Sequence, residues 1–109
     1  MHYLTLSFTH KNTDICVREK LAFNSEEKSR HFMSQLKNCE AINEVILLST
    51  CNRVEIITSV SEVQSALNYV FDLLSYVSDV PREELEGRAD TYEDNGAIHH
   101  LFTVCSSLD

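Results

Sequence analysis

Cys51 and Arg53 stand two residues apart in the stretch Leu48-Ser49-Thr50-Cys51-Asn52-Arg53-Val54-Glu55. A thiolate attacks esters readily and then holds the acyl group as a reactive thioester. A guanidinium presents a planar fork of donors that grips a carboxylate bidentately. If the backbone is extended there, the period of two sends both side chains to one side, a nucleophile beside a carboxylate holder. Other thiol chemistries fail on spacing. No Cys-x-x-Cys pair exists for disulfide exchange, and Ile57 stands where a Cys-x-x-x-x-x-Arg phosphate loop needs arginine. A buried, inert thiol between strands is the structural alternative, and composition alone favours it. Thr50 and Asn52 can either contact a ligand or bond to their own backbone as turn formers.

His99 and His100 are the second pair with chemical potential. On a helix each residue turns by about 100°. Ala97, Leu101, Val104, Cys105 and Leu108 then gather on one side, with Ile98 and Phe102 widening the stripe. His99 falls opposite that stripe, toward water. His100 falls on its edge, where a half-buried imidazole can reach a cleft and hold or move a proton. Neither histidine has a Cys, His, Asp or Glu three or four residues away within the helix, so a helical zinc pair is not expected. Cys105 reads as a small core residue.

The elements that must position these groups follow from periodicity. Val45-Ile46-Leu47-Leu48 is an unbroken apolar run, expected from a strand buried on both faces. Val54 and Ile56 alternate with Arg53 and Glu55, a second strand with one face toward a core. Ser49-Thr50-Cys51-Asn52 then lies at the junction of the two, where side chains leave the sheet. Residues 3–9 suit a first strand ending at His10-Lys11, with His10 in a surface or supporting role. Asn12, Thr13 and Asp14 can cap a short helix through Ile15, Val17 and Leu21. Asn24 with Glu27, and Ser61 with Gln64, have the spacing of capping boxes. The helices they start would turn Phe32, Met33 and Leu36, then Val63, Leu67, Val70, Phe71 and Leu74, inward. Residues 75–79 and Pro81 end the latter. A short helical turn over 81–85, a polar edge strand over 89–93 and a last helix capped by Asp94 or Asn95 complete the order. That order predicts an α+β fold: an antiparallel or mixed sheet of about four strands covered by helices, related to the split-βαβ or ferredoxin-like plan.

Bulk properties narrow the classes. The 109 residues suit one domain; 43% are hydrophobic and 24% charged. Seventeen acidic against nine basic residues give a net charge of −8, unfavourable for an independent nucleic-acid binder. Cys16, Cys39, Cys51 and Cys105 are widely spaced with no amino-terminal signal peptide, so reduced thiols and a cytoplasmic setting are expected. No apolar run approaches the roughly 20 residues that cross a bilayer. Gly87 and Gly96 are the only glycines, so no Gly-x-Gly-x-x-Gly loop is present to bind a dinucleotide.

Ser49-Thr50-Cys51-Asn52-Arg53-Val54-Glu55 closely resembles the segment around the catalytic cysteine of glutamyl-tRNA reductases, which open the five-carbon route to tetrapyrroles and heme. Thr9-His10-Lys11 with Arg18-Glu19-Lys20 is similar to the opening of that family. Ala97-Ile98-His99-His100-Leu101-Phe102 with Ser106 and Leu108-Asp109 resembles its later histidine segment. Asp14-Ile15 replaces the usual Ala-Pro, and Ser107 the common glycine. The resemblance spans the whole chain but only about a quarter of a full reductase. It implies an oxidoreductase that converts the aminoacyl ester of glutamyl-tRNA into glutamate 1-semialdehyde through a thioester on Cys51. It further implies His100 as a catalytic partner and Arg53, Thr50 and Asn52 as substrate contacts. NADPH would be the cofactor, with no metal. The NADPH-binding domain and a dimerising helix would lie outside this chain, the full enzyme would be a homodimer, and product would be handed to the downstream aminomutase. A non-enzymatic α+β binding module and a thiol hydrolase or acyltransferase remain the other readings.

Overall fold

The computed structural model describes residues 1–107, the side chain of Ser107 excepted. Its elements are β1 (His2–Thr9), α1 (Ile15–Leu21), α2 (Glu26–Leu36), β2 (Ile42–Ser49), β3 (Arg53–Val60), α3 (Val63–Ser78), α4 (Arg82–Arg88), β4 (Asp90–Glu93) and α5 (Asn95–Ser107). This is the order expected from the sequence. The strands form one sheet in the order β2-β3-β1-β4, with every neighbouring pair antiparallel. β1 and β2 are separated by β3 and joined through helices, the split βαβ arrangement of an α+β fold.

The register divides the sheet into two unlike faces. Leu4, Leu6 and Phe8 of β1 lie opposite Thr58, Ile56 and Val54 of β3. Together with Val17 and Leu21 of α1, Phe32 and Leu36 of α2, and Val70 and Leu74 of α3, the apolar residues among these form the buried core, and Thr58 is buried beside them. Each fully buried aliphatic or aromatic side chain contributes about 1.5–3 kcal/mol. On the other face Thr5, Ser7 and Thr9 lie opposite Ile57, Glu55 and Arg53, and Thr5 and Ser7 lie opposite Tyr92 and Asp90 of β4. α5 packs over β1 and β4 on this face, so Thr5, Ser7, Thr9 and Glu55 are buried although polar. A polar second layer beneath a helix is what positions the candidate site.

Several expectations change in detail. The strand buried on both faces is β1, not β2: β2 is an edge strand, and Ile46 is 60% exposed. The reason is the position of β3 and β1 inside the sheet, with α5 packed mainly over β1 and β4. The start of α1 is as expected, the Asp14 carboxylate accepting from the Val17 N–H at 3.1 Å. The caps of α2 and α3 move by one residue. Ser25, with an extended backbone, accepts from the Lys28 N–H, and Glu62 accepts from the N–H groups of Gln64 and Ser65. α3 ends at Asp79, whose φ of 63° is left-handed. α4 runs for seven residues, longer than the single turn read from the sequence. Asp94 does not cap α5 with its side chain. That carboxylate instead accepts from the Tyr3 N–H at 3.0 Å and pairs with His2 at 3.2 Å, tying the start of β1 to the start of α5.

On α5 the buried stripe is rotated relative to the apolar one. Ala97 and Val104 are buried, Leu101 is half-buried, and Ile98, Phe102 and Cys105 are exposed. Cys105 is therefore not a core residue. The stripe turns because the layer it meets is polar: His100 takes an inward position to reach it. Leu108, expected on the same stripe, and Asp109 lie outside the described residues.

Candidate active site

β2 and β3 form a hairpin whose last pair is Ser49 and Val54. Beyond it the Thr50 N–H donates to the Arg53 carbonyl at 2.8 Å. The Thr50 hydroxyl accepts from the N–H groups of Asn52 and Arg53, each at 3.2 Å, and this folds the backbone over at Cys51 and Asn52. The chain is thus bent, not extended, at the thiol, so strand alternation does not carry Cys51 to the side of Arg53. Thr50 shapes the turn by the local side-chain bonding typical of threonine. Asn52 is held through its backbone, its carbonyl accepting from the His10 N–H at 3.0 Å, which ties the hairpin tip to the end of β1.

Cys51 is exposed at that tip and, like the other three cysteines, is a free thiol. It lines a shallow depression of about 170 Å³ with Thr50 and with Ile15, Arg18 and Glu19 of α1. Arg18 is anchored by donation from Nη1 to the Thr13 carbonyl at 3.2 Å.

Arg53 and His100 open instead onto a neighbouring cavity of about 200 Å³, whose wall includes His10, Lys11, Asp90 and Tyr92. They meet on Glu55. The Glu55 side chain is 1% exposed, and its Oε1 accepts from Nε2 of His100 at 2.6 Å. Its Oε2 accepts from the Ser7 hydroxyl and lies 3.5 Å from Nη1 of Arg53. A buried carboxylate is tolerated only when paired and hydrogen-bonded, and three side chains from two strands and a helix, Ser7 of β1, Arg53 of β3 and His100 of α5, converge to do this. Tyr92 stacks on His100, ring centroids 4.0 Å apart and 10° from parallel. Burial pushes the Tyr92 phenol up, the Asp90 and Glu55 carboxylates add to it, and Arg53 opposes it.

The structure therefore joins Arg53 and His100 and places Cys51 with Thr50 at the adjoining turn. His99 is exposed, as expected, and His100 is more buried than a helix-edge position implies. Glu55 is the residue that sequence reasoning passed over. Alternation alone puts it on the face away from the core, and only the cover supplied by α5 makes that face interior. Its signal was a carboxylate inside the Cys51 stretch together with a histidine on the inner edge of a helix, each needing a partner. Among the described residues no group of three or more His, Cys, Asp or Glu could hold a metal ion. Gly87 and Gly96 lie inside α4 and α5 and not in a strand-to-helix loop, so these residues do not fit a dinucleotide phosphate. No described helix is long and apolar enough to cross a membrane.

A family model described as the N-terminal domain of glutamyl-tRNA(Glu) reductase matches residues 6–109. The chain belongs to this family. It is 58% identical over 109 residues to a glutamyl-tRNA reductase of Wolinella succinogenes and 57% identical over 109 to one of a Nitratiruptor species. Each comparison covers 100% of this chain and 25% of the relative. The chain thus spans about a quarter of the length of the curated relatives it matches. Among solved structures, a glutamyl-tRNA reductase from Methanopyrus kandleri superposes with a TM-score of 0.63 at 25% identity, covering 95% of this chain and 22% of that one. The chain therefore has the fold of a reductase N-terminal domain, an α+β arrangement of a four-stranded antiparallel sheet and helices.

Proposed function

We propose that this chain is the glutamyl-recognising, acyl-accepting domain of a glutamyl-tRNA reductase. The Cys51 thiolate attacks the carbonyl carbon of the aminoacyl ester of glutamyl-tRNA. The bond from that carbon to the ribose oxygen breaks, the oxygen leaves with a proton, and a thioester remains on Sγ. Family membership and an exposed thiol beside the Arg53–Glu55–His100 group support this reading. The observation that carries it is the tie between the two: the Asn52 carbonyl on the His10 N–H sets the Cys51 turn against the wall of the cavity that Arg53 and His100 share.

In this reading Arg53 receives the substrate's side-chain carboxylate, oriented from behind by Glu55. His100 completes the network and holds or moves a proton near the ester. Thr50 fixes the turn that displays the thiol, and Asn52 anchors that turn to β1. The reductant of the whole enzyme, NADPH, is held by other parts of the polypeptide, as are the contacts of a homodimer and of any handover to an aminomutase. A cytoplasmic setting fits the four free thiols.

The test is rapid-quench mixing of the protein with glutamyl-tRNA without nicotinamide. The wild-type chain is expected to become acylated and Cys51→Ser to remain unlabelled; equal labelling of both overturns the proposal.

A further inference from the structure

We propose that Tyr92 is a positioning residue for His100, clamping the imidazole so that Nε2 stays on Glu55 and Nδ1 is the nitrogen presented to the cavity. The inference rests on the reading of His100 as a site residue and extends it to a specific ring atom. A single hydrogen bond fixes one nitrogen but leaves the ring free to swing about it, because the terminal torsion of histidine is broad. A second ring lying parallel removes that freedom. Tyr92 supplies one at 4.0 Å and 10°.

The fold places the two rings together from different elements. Tyr92 lies opposite Thr5 on the face that α5 covers, and His100 comes down from α5 between the buried Ala97 and Val104. The reversal between β4 and α5 is made at Asp94, whose φ of 49° turns the chain back over its own strand. Glu55 is an acceptor with no exposed surface to offer a ligand, so the Nε2–H is committed to it. In the neutral imidazole the other nitrogen is then an acceptor. Nδ1 makes no hydrogen bond to any described residue, and His100 lines the cavity. To the neutral imidazole, a ligand bound there must bring an N–H or O–H donor. The aminoacyl ester carries both, in its α-ammonium and its ribose hydroxyl.

The charged groups around the imidazole are Glu55 and Arg53 from β3, Asp90 and the Tyr92 phenol from β4, and His10 and Lys11 beyond β1. Replacing Tyr92 by phenylalanine keeps the stacked ring and removes only the hydroxyl, whereas leucine removes the ring. The experiment is long-range ¹H–¹⁵N spectroscopy on the histidine-labelled protein, which reads the tautomer at each ring nitrogen and does not depend on whether Cys51 is acylated. Wild type and Tyr92→Phe are expected to show neutral His100 wholly protonated at Nε2, and Tyr92→Leu a mixture of the two tautomers. In the acylation reaction Tyr92→Leu is expected to be slower by about tenfold or more, with an altered pH profile, and Tyr92→Phe to restore most of the rate, the size expected of a misplaced catalytic group. A wild-type spectrum showing the Nδ1–H tautomer overturns the proposal even if the leucine variant fails to fold. So does a folded Tyr92→Leu protein whose tautomer and pH profile match wild type.

Discussion

Glu55 ends its side chain where water does not reach, and its three partners decide whether that is tolerable. Removing the acceptor by Glu55→Ala takes a carboxylate from the Arg53 guanidinium and deprives the Ser7 hydroxyl and the His100 N–H of their acceptor. Breaking a buried pair in this way costs about 3–5 kcal/mol, and the 14% exposure of Arg53 places the expected loss near the lower end. Urea unfolding measures it. Glu55→Gln, which keeps the shape and one acceptor, is expected to lose less. Tyr92 supplies an optical handle on the same group. Its phenol is raised chiefly by burial and next by Asp90, so the folded state favours the neutral ring. That advantage is present below the ordinary tyrosine value of about 10 and lost as pH rises through the higher folded value. Alkaline absorbance titration is expected to show one late phenol, which Asp90→Asn brings to lower pH. At this scale the sequence revealed Cys51, Arg53 and His100 as chemically able residues. It did not reveal Glu55, because alternation tells which way a side chain points and not what will be laid over it.

Elements were legible wherever a single face decided them. The stripe of α3 and the alternation of β3 matched their buried faces, since both meet an apolar layer. The caps slipped by one because acceptor residues are adjacent, Asn24 beside Ser25 and Ser61 beside Glu62, and the extended backbone at the second of each pair decides which oxygen can reach the helix. Ser25→Ala and Asp14→Ala are each expected to cost about 1 kcal/mol in denaturant unfolding. The end of α3 offers the opposite sign. Asp79 is held at φ 63°, a conformation that costs an L-residue free energy and glycine none. Asp79→Gly is expected to gain about 0.5–1 kcal/mol, read as a higher denaturation midpoint. α5 misled a count of apolar residues because the layer beneath it is built of Thr5, Ser7 and Glu55, so the helix turns His100 inward and leaves Phe102 70% exposed.

Across the whole molecule, one sheet carries an apolar core on one face and a polar site on the other, and Asp94 fastens the second face shut. Its carboxyl is held below the ordinary range by the Tyr3 N–H first and by His2 next. A depressed folded value contributes stability that is present above the usual carboxylate range and lost as pH falls through the folded value. Glu62 at the start of α3 behaves alike, through Ser65. Thermal midpoints are therefore expected to drop on acidification below about pH 4. Asp94→Asn should be less stable at neutral pH and should show a smaller acid loss. Element order and the α+β class followed from the sequence, whereas the placement of β2 at the edge did not, because an apolar run does not say which neighbour takes the centre. The most direct test of the functional account asks which sulfur takes the acyl group. After mixing the protein with labelled glutamyl-tRNA and mapping its thioester-bound peptides, the label is expected on Cys51 alone and much reduced in Arg53→Ala. Label on Cys16, Cys39 or Cys105, or none on a folded protein, would contradict it.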